Sequence, residues 1–178
     1  MIKKVLVITS SLREHGNSGA LAESFAKGAK EAGNSVEVVS LAGKNIAFCR
    51  GCLACQKTLK CVINDDAVQI AEKMKNANVI AFATPIYYYS VCGQLKTMLD
   101  RANPLFASDY KFTDIYLLAS AADDSKSAMD GAVSDISGWA SCFEKCSLKG
   151  VVRGVGATNI GEISKEALDE AYKMGKSA

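Results

Sequence analysis

Val5-Leu6-Val7-Ile8, followed by Thr9-Ser10-Ser11-Leu12-Arg13-Glu14-His15-Gly16-Asn17-Ser18, is the stretch on which the fold turns. The apolar run is rich in β-branched residues and too short for a helix, which predicts a strand buried on both faces. A polar, glycine-containing loop runs from Ser10 to Ser18. Leu21, Phe25 and Ala29 then recur every four residues, the signature of one helix face, and Gly33-Asn34 ends that helix. Strand, loop and helix in immediate succession form the first half of a parallel crossover unit.

The same alternation continues along the chain. Val36-Glu37-Val38-Val39 reads as a second strand, and Asp65 or Asp66 can cap a helix with the apolar face Ala67, Ile70, Ala71 and Met74. Val79-Ile80-Ala81-Phe82-Ala83 is a third strand, followed by a helix marked by Leu95, Met98, Leu99 and Ala102. Ile115-Tyr116-Leu117-Leu118-Ala119 is a fourth strand. Met129, Val133, Ile136, Ala140 and Phe143 line a long helix that carries Gly131 and Gly138. Val151-Val152 with Val155 is a fifth strand, and Ala167, Leu168, Ala171 and Tyr172 mark a closing helix. Strands and helices of this length in strict alternation predict an α/β fold: a three-layer, doubly wound, parallel five-stranded sheet in the order 2-1-3-4-5. Leu41–Asn64 carries no periodic pattern, and a connection that long is usually functional.

Composition bounds the function. The 178 residues suit one domain, 1–178, with residues 41–64 as a cysteine-rich insert. Hydrophobic residues make up 49% and charged residues 22%, so the chain can form a core. A net charge of +2 argues against a broad nucleic-acid footprint. Lys3-Lys4 before an apolar run has the flavour of a signal peptide, but the run ends at Thr9-Ser10-Ser11. No stretch reaches the roughly 18 apolar residues of a membrane span. The expectation is a soluble, cytoplasmic protein. The seven cysteines then suggest a metal, a redox centre or packing more than disulfides. A single histidine excludes a His-based triad and a multi-histidine metal site.

In an open parallel sheet, ligands bind beyond the carboxyl ends of the strands where strand order reverses, and the first strand borders that point. The helix that starts after its loop offers unpaired N–H groups and positive dipole charge to a phosphate. Ser11, Asn17 and Ser18 add hydrogen bonds, and Arg13 adds a forked cation. The loop is neither G-x-G-x-x-G nor a Walker motif, and its hydroxyl groups suit a terminal phosphate monoester. The competing reading is a polar connection with a helix cap.

Three segments resemble one family. Ser11-x-Arg13-x-x-Gly16-Asn17-Ser18 is similar to the S-x-R-x-x-G-N-[ST] phosphate loop of the NADPH-dependent FMN reductases, which have the flavodoxin-like fold. The segment from Thr84 through Pro85-Ile86-Tyr87-Tyr88 and Gly93-Gln94-Leu95-Lys96 to Asp100-Arg101 is similar to the family's P-[IV]-Y-[WY]…G-x-L-K…D-R. Cys49-Arg50-Gly51-Cys52-Leu53-Ala54-Cys55, then Cys61 and Asp65-Asp66, resembles the insert of one branch. The chain departs from the pattern at Ser10, often glycine, and at Leu12, often proline.

The resemblance implies non-covalent FMN. Ser11, Arg13, Asn17 and Ser18 would hold the phosphate. The segment Thr84, Pro85, Ile86, Tyr87 and Tyr88 would contact the ring, and Gly93 would let the next helix approach closely. Ser120, Ala121 and Ala122, after the fourth strand, would supply further contacts. An apolar ring needs an aromatic-walled slot with a few polar groups at its edge. Three consecutive tyrosines cannot all face one side, so at least one is expected to be structural. The resemblance further implies NAD(P)H as co-substrate, a small-molecule electron acceptor such as a quinone or a flavin, and a homodimer or homotetramer. The rival function is a flavodoxin-like electron carrier for protein partners, which the near-neutral charge disfavours.

Cys49, Cys52, Cys55 and Cys61 are spaced C-x2-C-x2-C-x5-C, whereas bacterial ferredoxins use C-x2-C-x2-C-x3-C-P; here Val62 follows the fourth cysteine. The compact spacing also resembles that of iron–sulfur flavoproteins, which carry a 4Fe–4S cluster beside FMN. Three readings stay open: ligands of such a cluster, metal-free residues near the flavin or an interface, and a redox-active thiol pair. Cys92, Cys142 and Cys146 are expected to be packing residues, Asp123-Asp124 a helix cap, His15 a solvent-facing loop residue and Trp139 core or interface.

Overall fold

The computed structural model describes residues 2–178. Strand β1 (Lys4–Thr9) leads through the polar loop to α1 (Asn17–Glu31), and β2 (Ser35–Ser40) follows. The cysteine-rich segment contains one short helix, α2 (Ala54–Thr58), before α3 (Asp66–Asn76). Then come β3 (Val79–Tyr87), β4 (Ser90–Val91) and α4 (Gly93–Arg101), which a 3-10 turn extends over Asn103–Ala107. The chain closes with β5 (Asp114–Ser120), a 3-10 turn (Lys126–Met129), α5 (Asp130–Ser141), β6 (Ser147–Gly154) and α6 (Lys165–Ser177).

The parallel strands lie in the order β2-β1-β3-β5-β6, and β4 pairs antiparallel with the end of β3. The fold class and the order of the five parallel strands match the expectation; the sheet has six strands rather than five. The added strand has only two residues, Ser90 and Val91, too few for a period-2 pattern to register. β6 also starts earlier than its valines indicate, because its first residues are partly exposed and need no apolar run.

Alternation along each central strand builds two cores. Val5 and Val7 of β1 pack with Val79, Ala81 and Ala83 of β3 beneath α1 and α6. Leu6 and Ile8 face the other way, with Ile80, Phe82, Ile115 and Leu117, beneath α3, α4 and α5. Trp139 packs edge-on against Phe82, at 5.5 Å between ring centroids, in this second core. Asp65 caps α3, its carboxylate accepting the Ala67 N–H. Asp123 caps no helix; it accepts the Ser125 N–H at 2.7 Å in a local turn ahead of the 3-10 segment. The stripe from Met129 to Phe143 overshoots α5 at both ends, and Gly131 and Gly138 do not break the helix. Cys146 is half-buried, but Cys142 is exposed because α5 has ended before it. No helix among the described residues is long and apolar enough to cross a membrane.

Helices α1 and α6 touch backbone to backbone. A Cβ on Gly28 would lie 2.1 Å from the Tyr172 carbonyl oxygen, and one on Gly175 would lie 2.0 Å from that of Phe25. Gly28→Ala and Gly175→Ala must each push the helices apart. Each is expected to destabilise the protein by about 1–3 kcal/mol in urea unfolding, despite the better helix propensity of alanine.

Candidate functional site

The loops after β1, β3 and β5 emerge side by side because these strands are hydrogen-bonded neighbours. In the first loop, helix α1 begins with Gly16 at its N-cap, with no side-chain cap and no acidic residue in its first turn. Its positive end is therefore uncompensated by the chain. A Cβ at Gly16 would sit 2.8 Å from Ser11 Oγ and 3.3 Å from the Arg13 carbonyl oxygen, so a side chain there would crowd the turn and make the Ser11 hydroxyl rotate away. Ser11 Oγ accepts the Arg13 N–H at 3.1 Å. Ser18 is buried in the first turn, and His15 is exposed with a left-handed backbone (φ 54).

Asn17 is placed differently from a phosphate ligand. Its carboxamide donates to the carbonyls of Ala157 (3.1 Å) and Asn159 (2.8 Å) and accepts the Gly161 N–H at 3.1 Å. The side chain braces the β6–α6 loop, leaving its backbone N–H in the helix start. Arg13 also leans on that loop, donating to the Thr158 carbonyl at 3.2 Å.

The ring segment runs past the sheet as a tight hairpin. Ile86 pairs with Val91 and Tyr87 with Ser90, so Tyr88 and Tyr89 form a two-residue turn, both at positive φ (48 and 64). Tyr87, Tyr88 and Tyr89 are 49%, 100% and 63% exposed, so none packs in the core, contrary to the expectation; the hairpin carries all three beyond it. Ser90 Oγ donates to Asp135 at 2.5 Å, and a Cβ on Gly131 would lie 2.2 Å from the Tyr89 carbonyl oxygen, so α5 supports the turn. Pro85 and Ile86 are half-buried.

Thr84 is an internal brace: its Oγ1 donates to the Pro85 carbonyl and accepts the Cys92 N–H. Cys92 Sγ reaches Ser10 Oγ at 3.2 Å, and Ser10 Oγ donates to the Ala83 carbonyl at 2.8 Å, joining the first two loops. A Cβ on Gly93 would meet nothing within 4 Å, so the glycine leaves open space at the start of α4. In the third loop Ser120 and Ala121 are buried, Ala121 exchanges backbone bonds with Gly154 and Ala157, and Ala122 is exposed.

The cysteine segment lies over α3, α4 and the Asn103–Ala107 turn. Cys49 and Cys52 are exposed, Cys61 is half-buried and Cys55 is buried. Among the described residues no three or more His, Cys, Asp or Glu side chains converge to hold a metal ion. Gly51 (φ 64) and Leu53 (φ 56) turn the chain sharply on either side of Cys52. Cys49 and Cys61 are near enough to Cys55 for negative charge on either to oppose its ionisation. Burial pushes the Cys55 thiol up, partly offset by an N–H from Asn103. A cavity of about 540 Å³ opens beside Cys61, walled by Leu59, Val68 and Leu105.

Sequence reasoning missed Arg101 as the organiser of this segment. Its guanidinium grips Asp65 bidentately at 2.7 and 2.8 Å and donates to the carbonyls of Ala47 (2.7 Å) and Ile63 (2.9 Å). One buried side chain thus holds the chain just before Cys49 and just after Cys61. Burial alone would raise the Asp65 carboxyl, but Arg101 and the N–H groups of Ala47 and Ala67 outweigh it and hold it below the ordinary carboxylate range. The signal available in the sequence was an arginine inside an apolar helix stripe.

The donor chemistry fits two groups. The uncapped helix start, the cradle around Gly16 and the cationic Arg13 fit a phosphate monoester, with the exposed tyrosines as a nearby aromatic surface. Four thiols in one short segment, beside a buried Arg101 Nε–H that has no partner, fit a thiolate-bound metal centre.

Asp65→Asn removes the charge paired with Arg101 and is expected to cost about 3–5 kcal/mol at neutral pH. A lowered carboxyl contributes its stability above the ordinary carboxylate range and loses it as pH falls through the folded value, so the deficit should shrink in urea titrations run from about pH 7 to pH 3. Replacing Tyr88-Tyr89 by Asn-Gly relieves two strained residues and should raise unfolding stability by about 1–3 kcal/mol.

Comparison with known proteins agrees with this geometry. The chain matches the family model of the NADPH-dependent FMN reductases over residues 3–149. It is 39% identical over 102 residues to an iron–sulfur flavoprotein of Methanocaldococcus jannaschii, covering 57% of this chain and 53% of that protein. It is 34% identical over 99 residues to an iron–sulfur flavoprotein of Methanosarcina thermophila, covering 56% and 52%. The chain spans about half the length of the curated relatives it matches. In fold it is similar to an NAD(P)H:quinone oxidoreductase from Methanothermobacter marburgensis, with a TM-score of 0.77, 18% identity and coverage of 99% and 96%. An azoreductase from Bacillus anthracis superposes with a TM-score of 0.76, 18% identity and coverage of 99% and 100%. With the family model matching residues 3–149, most of its length, the chain belongs to the NADPH-dependent FMN reductase family.

Proposed function

We propose that this protein is an FMN-dependent oxidoreductase that takes electrons from NADH or NADPH and delivers them to a small acceptor. The observation that carries the reading is the start of α1: a glycine cap, no acidic residue in the first turn and a turn that closes around Gly16. Ser11, Arg13, Ser18 and the first backbone N–H groups of α1 would hold the phosphate, with Asn17 fixing the loop from behind. Pro85, Ile86, Tyr87 and Tyr88 would border the ring from the hairpin, and the third loop, Ser120 to Ala122, would close the far side. FMN, when bound, supplies hydride acceptance from a nicotinamide and electron release to an acceptor.

The chain's own contribution is positioning. The Ser10–Cys92–Thr84 network holds the first two loops at fixed separation, and α5 keeps the tyrosine turn in place through Asp135. No side-chain acid or base is assigned to the reaction. Cys49, Cys52, Cys55 and Cys61 would hold a 4Fe–4S cluster, which supplies single-electron chemistry beside the flavin site.

Titration of the flavin-free protein with FMN should quench flavin fluorescence at a defined stoichiometry, and NADH or NADPH should then bleach the visible flavin band without oxygen. Arg13→Ala removes a charge-assisted contact worth about 1.5–3 kcal/mol and should weaken FMN roughly ten- to a hundredfold. A protein that takes up no FMN, or FMN-loaded protein that neither nicotinamide reduces, overturns the reading.

A further inference from the structure

Two side chains outside the cysteine segment reach toward its sulfurs. Asn103, at the start of the 3-10 turn after α4, directs Nδ2 at Cys55 Sγ, 3.2 Å away. Arg101, two residues earlier, has five N–H groups. Four are used, two on Asp65 and one each on the Ala47 and Ile63 carbonyls. The fifth, on Nε, is the one buried side-chain nitrogen or oxygen among the described residues without a partner. Cys61 and Arg101 line the same cavity. A third donor comes from within the segment, where the Gly51 N–H points at Cys49 Sγ at 3.5 Å.

These donors make little sense for neutral thiols. A thiol sulfur is a weak acceptor, and leaving a guanidinium N–H buried beside one costs free energy. A sulfur that carries negative charge changes the balance, because an N–H donated to it is charge-assisted and gains strength in a water-poor setting. Cys55, which is buried, stands in such a setting.

We infer that Asn103 and Arg101 are positioning residues for a thiolate-bound metal centre, donating hydrogen bonds to the sulfurs of Cys55 and Cys61 and thereby raising its reduction potential. The inference rests on the proposed cluster and adds residues that are not its ligands. The direction follows from charge: reduction adds an electron to the centre, its sulfurs become more negative, and fixed donors favour that state. Both residues stand at the end of α4, whose other end begins at Cys92 and Gly93 beside the flavin loops, so one helix carries the supports of both sites.

The test uses protein purified without oxygen, with iron and sulfide measured and the potential of the centre titrated by electron paramagnetic resonance. Asn103→Leu keeps the size and removes the donor; it is expected to retain iron and sulfide and to shift the midpoint potential downward. Asn103→Gln restores a carboxamide N–H and should return the potential toward that of the wild type. Arg101→Lys keeps the charge and removes Nε–H, with the same downward shift expected; because it also loosens the clamp on Asp65, the Asn103 pair decides the matter. An iron-replete Asn103→Leu with an unchanged potential overturns the inference and leaves the cluster standing. Wild-type protein without iron and sulfide overturns the cluster and the inference together.

Discussion

Helix α1 begins with backbone N–H groups that no side chain of this protein satisfies, and much of the molecule is arranged to keep them so. A serine or aspartate at position 16 would cap the helix in the ordinary way, but its Cβ would collide with Ser11 Oγ. The loop therefore keeps the positive end of the helix open. Asn17, the first helical residue, turns its carboxamide away into the β6–α6 loop. Arg13 leans on the same loop. That loop leads into α6, and α6 lies against α1 so closely that Gly28 and Gly175 admit no side chain. The contact between two helices on one face of the sheet thus fixes the geometry of the loop after β1, where the proposed phosphate site lies.

Strain gathers at the same places. The non-glycine residues with left-handed backbone are His15, Leu53, Leu59, Tyr88 and Tyr89 among the described residues. One lies in the phosphate loop, two flank the helix of the cysteine segment and two make the hairpin turn. Each costs on the order of 1–3 kcal/mol and persists only where the surroundings over-determine it. For the tyrosine turn those surroundings are visible: Asp135 holds Ser90, and the backbone of Gly131 presses on the Tyr89 carbonyl. Asn-Gly would form this turn without strain, so the fold gives up stability to present two exposed aromatic rings there.

Much of this was legible in the chain. Apolar runs in β1, β3 and β5 announce strands buried on both faces, and Leu21, Phe25 and Ala29 announce the helix above them. The order of parallel strands followed from the crossover rule. What escaped reading depends on contacts between distant residues. Asn17 reads as a phosphate ligand from its position in the motif, but its side-chain partners lie 140 and 142 positions away. β4 is too short to carry a period. Arg101 falls beside Leu95, Met98 and Leu99 in a helix stripe, and nothing local says that its charge is buried against Asp65.

The Arg101–Asp65 pair explains how a segment with almost no regular structure keeps a defined course. A buried ion pair is weak support for overall stability, because desolvating both charges offsets most of their attraction. Its value lies in specificity. The guanidinium accepts only a planar arrangement of partners, and here the partners are the carbonyls on either side of the cysteines and the carboxylate that caps α3. Asp65 in turn receives the Ala47 N–H, and Asp66 the Asn45 N–H, so the incoming chain is registered against the first turn of the helix. An apolar pair of equal volume would bury as much surface and leave the segment free to slide. Fixing both ends shortens the loop that must be ordered when its sulfurs are brought to a common centre, which lowers the entropy to be overcome at that step. The clamp therefore holds the cysteine segment in register from both ends.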